Sequence, residues 1–179
     1  MRKIVLTFGL ISGAILAAMM FATIPFQDNI GFDRGEVIGY TTMIIAGLLI
    51  FFGVRSFRDN VAGGSVSFGR AFAVGIQIGA VAAVCYVAAW QVIYYRISPD
   101  FMQKYQAYIL DKAKADGETE QQLAARKADM EKFGEMYKNP LVNVAVTFLE
   151  PLPVGLIMTL VAAGVLSRRR RAASQAIAA

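Results

Sequence analysis

FLEPLPVGLIMTLVAAGVLSRRRR, Phe148 to Arg171, opens with an acid and two prolines, continues as an apolar run, and closes on four arginines. The hydrocarbon of a bilayer is about 30 Å thick, and a helix rising 1.5 Å per residue crosses it in roughly 20 residues. At that rise roughly 27 Å of helix separates Glu150 from Arg168. A membrane therefore accounts for both ends: the acid falls near one boundary and the arginines lie beyond the other.

Working outward, three further segments reach spanning length. The four spans run over about 4–26, 37–54, 71–95 and 141–166. The totals agree with this reading. The chain has 179 residues, is 56% hydrophobic and carries a net charge of +5, with a mean hydropathy of +0.50. A soluble domain sits nearer 45–50% apolar. A basic balance can mark nucleic-acid binding, but here the cations flank apolar runs. A lipid bilayer with an anionic surface is the expected partner, and nucleic acid is not.

Arg2 and Lys3 precede the first span as they would a signal peptide. Its apolar stretch is longer than a signal core and shows no clear small-x-small site near its end, so we read it as an uncleaved span. Cations in short loops set the orientation. Arg2, Lys3, Arg55, Arg58, Arg70 and Arg168 to Arg171 lie on one side. The first connection, QDNIGFDRGE, sets one arginine against Asp28, Asp33 and Glu36. Both termini are expected in the cytoplasm of a bacterium, with the protein multi-pass in its inner membrane.

The connection 96–139 is long and charged, and is expected on the extracytoplasmic side. Ser98-Pro99 offers an N-cap and a first-turn proline. Phe101, Tyr105, Tyr108 and Ile109 follow at helical spacing. Asp116-Gly117 breaks the pattern, and Thr119 with Gln122 has capping-box spacing. Leu123, Met130, Phe133 and Tyr137 form a second stripe, ended by Asn139-Pro140. These signals predict a helical hairpin whose stripes pack on each other or lie on lipid, or else present a face to a partner.

The chemistry is sparse. There is no histidine and a single cysteine, Cys85, which removes the commonest general base and cysteine-based zinc sites. GGSVSFGRAF, Gly63 to Phe72, lacks the Gly-Lys-Ser/Thr ending of a phosphate loop, and Arg70 reads as an interfacial anchor. No catalytic, cofactor-binding or metal residue is predicted. An ionisable group in a span is the default functional candidate, a default that weakens at the boundary; Glu150 is read first as a cap and anchor bonded to neighbouring helices, with a binding or ion-pathway role as the alternative. Pro151 and Pro153 beside it mark a kink or helix start. Counting along the third span places Gln91 and Tyr94 as expected hydrogen-bond partners for Glu150. Gln77 lies deeper and cannot titrate, which argues against a proton pump. Ala71, Gly75, Gly79 and Ala83 form a small-residue stripe suited to close helix approach, as do Gly9, Gly13 and Ala17. Packing within the bundle and a homodimer face are both open for them.

SFGRAF (Ser67 to Phe72) with Gly75, the charged helical insertion, and FLEPLPVGL (Phe148 to Leu156) before an arginine-rich tail resemble a bacterial family of four-span integral membrane proteins of unknown function. The resemblance covers nearly the whole chain and implies no activity, substrate or cofactor. The expected fold is all-α, a four-helix transmembrane bundle forming a single membrane domain over 1–179, with an extracytoplasmic helical hairpin at 96–139. The expected function is non-enzymatic: binding a membrane-protein partner or self-associating as a homo-oligomer. The alternative is a small transporter or channel subunit with Glu150 in a polar path.

Overall fold

A computed structural model describes the backbone of residues 1–177 and the side chains of residues 1–167. The regular elements among them are all helical. Helix α1 (Arg2–Thr23) ends at a 3-10 turn (Ile24–Phe26), where Pro25 removes an amide donor. The short α2 (Gln27–Ile30) is divided from α3 (Phe32–Asn60) by Gly31 at φ 82°, a conformation that glycine adopts without a Cβ clash. Helix α4 (Phe68–Val92) runs into a π-helical turn (Ile93–Ile97). Then come α5 (Phe101–Ala115), α6 (Glu120–Tyr137), α7 (Pro140–Leu149) and α8 (Leu152–Ile177). The side chains of the predicted anchor Arg168 to Arg171 lie outside the described residues.

Four helical segments, Arg2–Ile30, Phe32–Asn60, Phe68–Ile97 and Pro140–Ser167, are long and apolar enough to cross a membrane. The second extends well past its apolar stretch because hydropathy marks only the part of a helix that sits in oil. The protein is an all-α four-helix bundle. α1 and α8 each pack against both α3 and α4, and α3 and α4 meet across the centre. Large apolar side chains such as Leu10, Ile45, Phe52, Val84, Ile157 and Val165 face outward, an arrangement that water would penalise and lipid accepts. Inside, small residues let the backbones approach. A Cβ on Gly9 would lie 2.6 Å from Val81, one on Gly13 2.5 Å from Cys85, and one on Gly75 2.7 Å from Thr159. These stripes are therefore occupied within the chain. Gly79 belongs to the same stripe, yet its nearest neighbour would be Ile50 at an ordinary 3.6 Å.

The half of the bundle nearer the α3–α4 connection has a closed apolar core built from Ile50, Val54, Phe57, Val74 and Ile78. There Arg58 is bonded to Asp59 at 2.6 Å, and the Arg70 guanidinium lies 5.7 Å from the Phe57 ring centre.

At the other end α5 and α6 form a hairpin. Thr119 and Gln122 make the capping box that starts α6, and Gln106 Nε2 donates to the Met130 carbonyl at 2.7 Å, over Gly134. Two expectations are corrected. Ser98 does not cap α5; it ends the π turn of the third span, and Asp100 holds the cap position without a side-chain bond. The α5 stripe lies neither on lipid nor on α6 alone. Phe32 of α3 stacks on Tyr108 at 4.8 Å and meets Phe101 edge-on at 5.8 Å, while Phe101 stands 4.9 Å from Trp90 of α4. The aromatic rings find more apolar area on the bundle end than the polar α6 can offer.

Candidate functional site

The fourth span is broken at Glu150 and Pro151. Proline at 151 and 153 removes the amide donors that would have reached the carbonyls of Thr147 and Leu149. α8 begins beyond the break, with Gly155 N donating to the Pro151 carbonyl at 2.9 Å. Below the break α8 packs on α3 as well as α4; above it α7 lies along α4. The break releases a carboxylate and opens a space between α3 and α7.

Asn143 and Thr147 of α7 and Glu150 at its C-terminal cap fall at i, i+4 and i+7 and so share one face. Each joins a polar contact facing α4. Gln91 Nε2 donates to Asn143 Oδ1 at 2.7 Å. Trp90 Nε1 donates to Tyr137 Oη at 2.9 Å, and the Tyr137 and Thr147 hydroxyls share a bond at 3.1 Å. The Tyr86 hydroxyl donates to Glu150 Oε2 at 2.7 Å. Burial pushes the Tyr137 phenol up to about 12, so at neutral pH it is a hydroxyl that both donates and accepts.

Beside this ladder lies a cavity of about 470 Å³, within the usual size range of small-molecule sites. α1 supplies Met19 and Met20, α2 supplies Gln27, and α3 supplies Glu36, Gly39, Tyr40 and Met43. α4 supplies Tyr86 and Trp90, and Glu150 enters from the break after α7. The roof is α5, with Phe101, Tyr105 and Tyr108, and Tyr137 of α6 reaches in. Glu150, Glu36 and Tyr40 keep exposed surface, so the space is not sealed. Gln27 is different: it is only 6% exposed, it packs against Gly35, and its Oε1 has no hydrogen-bond partner. A buried unpaired acceptor carries a desolvation penalty that a bound donor would remove.

The roof is held by rings and by charge. Lys104 meets Asp28 at 2.7 Å, and Lys112 meets Asp33 at 2.8 Å. The Tyr108 hydroxyl donates to Asp33 at 2.6 Å. The hydrogen bond to Asp33 holds the Lys112 ammonium well above its ordinary range.

Of the candidates read from the sequence, Glu150 lines this cavity. Its partner is Tyr86, not Gln91 or Tyr94. Tyr86 precedes Gln91 and Tyr94 on α4, and which of them faces Glu150 is set by the rotation of the helix, which counting along the span does not give. Gln91 is engaged with Asn143. Gln77 lies on the outer surface of α4, with its amide bonded to the Ala73 carbonyl at 3.0 Å. Arg70 stands at the opposite end of the bundle, and Gly75 and Gly79 pack in its core. Sequence reasoning missed Tyr86, Trp90, Gln27, Asn143 and Thr147. The spacing of Asn143, Thr147 and Glu150 within an apolar segment was the available signal for the last two. Among the described residues no group of three or more His, Cys, Asp or Glu side chains is placed to hold a metal ion.

A family model described as "Protein of unknown function (DUF4199)" matches residues 7–168. The chain belongs to this family. The match takes in the first span from Thr7, the other three spans, the hairpin and every residue of the cavity named above. No curated protein and no solved structure matches the chain.

Proposed function

We propose that this is a non-enzymatic binding protein of the bacterial inner membrane, which holds a small amphipathic molecule in the cavity under the hairpin. The observation that carries the reading is the cavity itself. It joins a flexible methionine and aromatic lining to a carboxylate freed by the break in the fourth span, the combination of apolar walls and few polar groups that marks ligand sites. The cation-rich end, with Arg2, Lys3, Arg55, Arg58 and Arg70, faces the cytoplasm with both termini. The hairpin and the cavity mouth are then extracytoplasmic, and the ligand arrives from outside or from the outer leaflet.

Partner binding through the hairpin stripes or the glycine stripes loses support, because α5 lies on the bundle and Gly9, Gly13 and Gly75 are occupied within it. A transporter would need the cavity to continue inward. The closed core of Val54, Phe57, Val74 and Ile78 lies in that path, each 0–1% exposed, and Gln77 faces away from it.

The test is native mass spectrometry of the intact protein released from mild detergent. The wild type should retain a small-molecule adduct. Gly39→Phe should lose it: Gly39 lines the cavity, and a Cβ there would meet nothing within 4 Å, so the ring fills the space without a clash in the core. A wild type that carries no adduct, or a variant that retains it fully, would refute the reading.

A further inference from the structure

We infer that the cavity selects an amphipathic organic ammonium ion, with its N–H groups toward Glu150, Glu36 and Gln27 and its apolar body among the methionines and rings. This rests on the ligand-binding reading above and adds the charge and hydrogen-bonding class of the ligand.

The charged groups that line the space with unused capacity are acceptors, as is the one buried lining atom without a partner, while the Tyr40 and Tyr105 hydroxyls can accept or donate. Gln27 Oε1 is buried without a partner. Glu150 receives Tyr86 on Oε2 alone, and among the described residues no side-chain hydrogen bond or salt bridge engages Glu36. An unpaired carboxylate at the edge of hydrocarbon is costly and gains most from a cation. The lining supplies one cation, Lys112, and it is already bonded to Asp33 and Tyr108 at the rim.

Glu36 and Glu150 act on a common region. The Tyr105 phenol of the roof is pushed up first by burial and then by Glu36, Tyr108 and Glu150. An anionic headgroup would meet that field as repulsion. A neutral alcohol could give one hydrogen bond but would leave the charges unbalanced. An ammonium can donate to several acceptors at once, and the faces of Tyr40, Tyr105 and Trp90 attract cations.

Trp90 is the only tryptophan in the chain and lines the cavity, so intrinsic emission reports this site alone. The intact protein in zwitterionic nanodiscs is titrated with three probes of equal chain length: n-octylammonium, octan-1-ol and octanoate. Octylammonium should change Trp90 emission saturably, and the other two should have no saturable effect at the same concentrations. Glu150→Gln should weaken octylammonium at least about tenfold, the loss expected for one charge-assisted hydrogen bond. Glu36→Gln should weaken it severalfold, and it stands in for Glu150→Gln should that variant fail to fold. Gln77→Leu, on the outer surface, should bind as the wild type does. If octanol binds as well as octylammonium, or if both glutamine variants bind unchanged, the inference fails while the ligand-binding reading stands. If no probe moves Trp90, both fail.

Discussion

At the scale of single residues, the contact between Tyr86 and Glu150 carries most of the meaning. Tyr86→Phe removes one interhelical hydrogen bond and leaves the ring in place. Such bonds in membranes average about 0.6 kcal/mol, with roughly 1.7 at most. Unfolding in mixed micelles should show a loss in that range, and no loss at all would mean that the bond does not form. The glycines make a sharper comparison. Gly75 and Gly79 belong to one stripe, but only Gly75 has no room for a methyl group. Gly75→Ala should lose about 1–3 kcal/mol through overpacking against Thr159, and Gly79→Ala should be nearly silent. Equal thermal midpoints for the two would contradict the packing described here.

At the scale of elements, the broken fourth span and the docked hairpin determine the site. Restoring both amide donors in a Pro151→Ala, Pro153→Ala double variant should straighten α7 on α8 and bring it toward α3. The octylammonium response of Trp90 should then fall well below that of the wild type; an unchanged response would show that the break does not hold the cavity open. Two kinds of contact hold α5 down, and their magnitudes differ. Lys112 and Asp33 are an exposed pair, 50% and 69% accessible, and such pairs contribute little. The bond between them raises the Lys112 pKa and lowers that of Asp33, so the pair's contribution is complete at neutral pH and is lost as pH rises through the raised value or falls through the lowered one. The ring contacts of Phe32 and Phe101 exclude solvent at any pH. Phe101→Ala should therefore shift Trp90 emission clearly to the red at pH 7, and Lys112→Ala should shift it little. The reverse order would make charge the main fastening.

At the scale of the whole molecule, orientation decides which compartment supplies the ligand. With Cys85 replaced by alanine, a single cysteine at Asp116, near the hairpin tip, should react with an impermeant maleimide in intact cells. A single cysteine at Val61, in the α3–α4 connection, should react only after permeabilisation. Labelling of Val61→Cys from outside would invert the protein and turn the cavity toward the cytoplasm.

The four spans were legible in the sequence because crossing oil is a local requirement. Each stretch must be apolar for about 20 residues and must satisfy its own backbone, whatever its neighbours do. Pro151, Pro153 and Glu150 could likewise be read as a break with a carboxylate beside it, since proline acts on its own turn. The identity of the site could not. Tyr86 lies 64 positions from Glu150 in the chain, and Gln27 looked like one polar residue of a loop. They meet Trp90 and Tyr105 only through the rotation of each helix, the departure of α7 from α3 and the folding of α5 back over the bundle end. Those are set by contacts between distant segments, which no periodicity within one segment encodes.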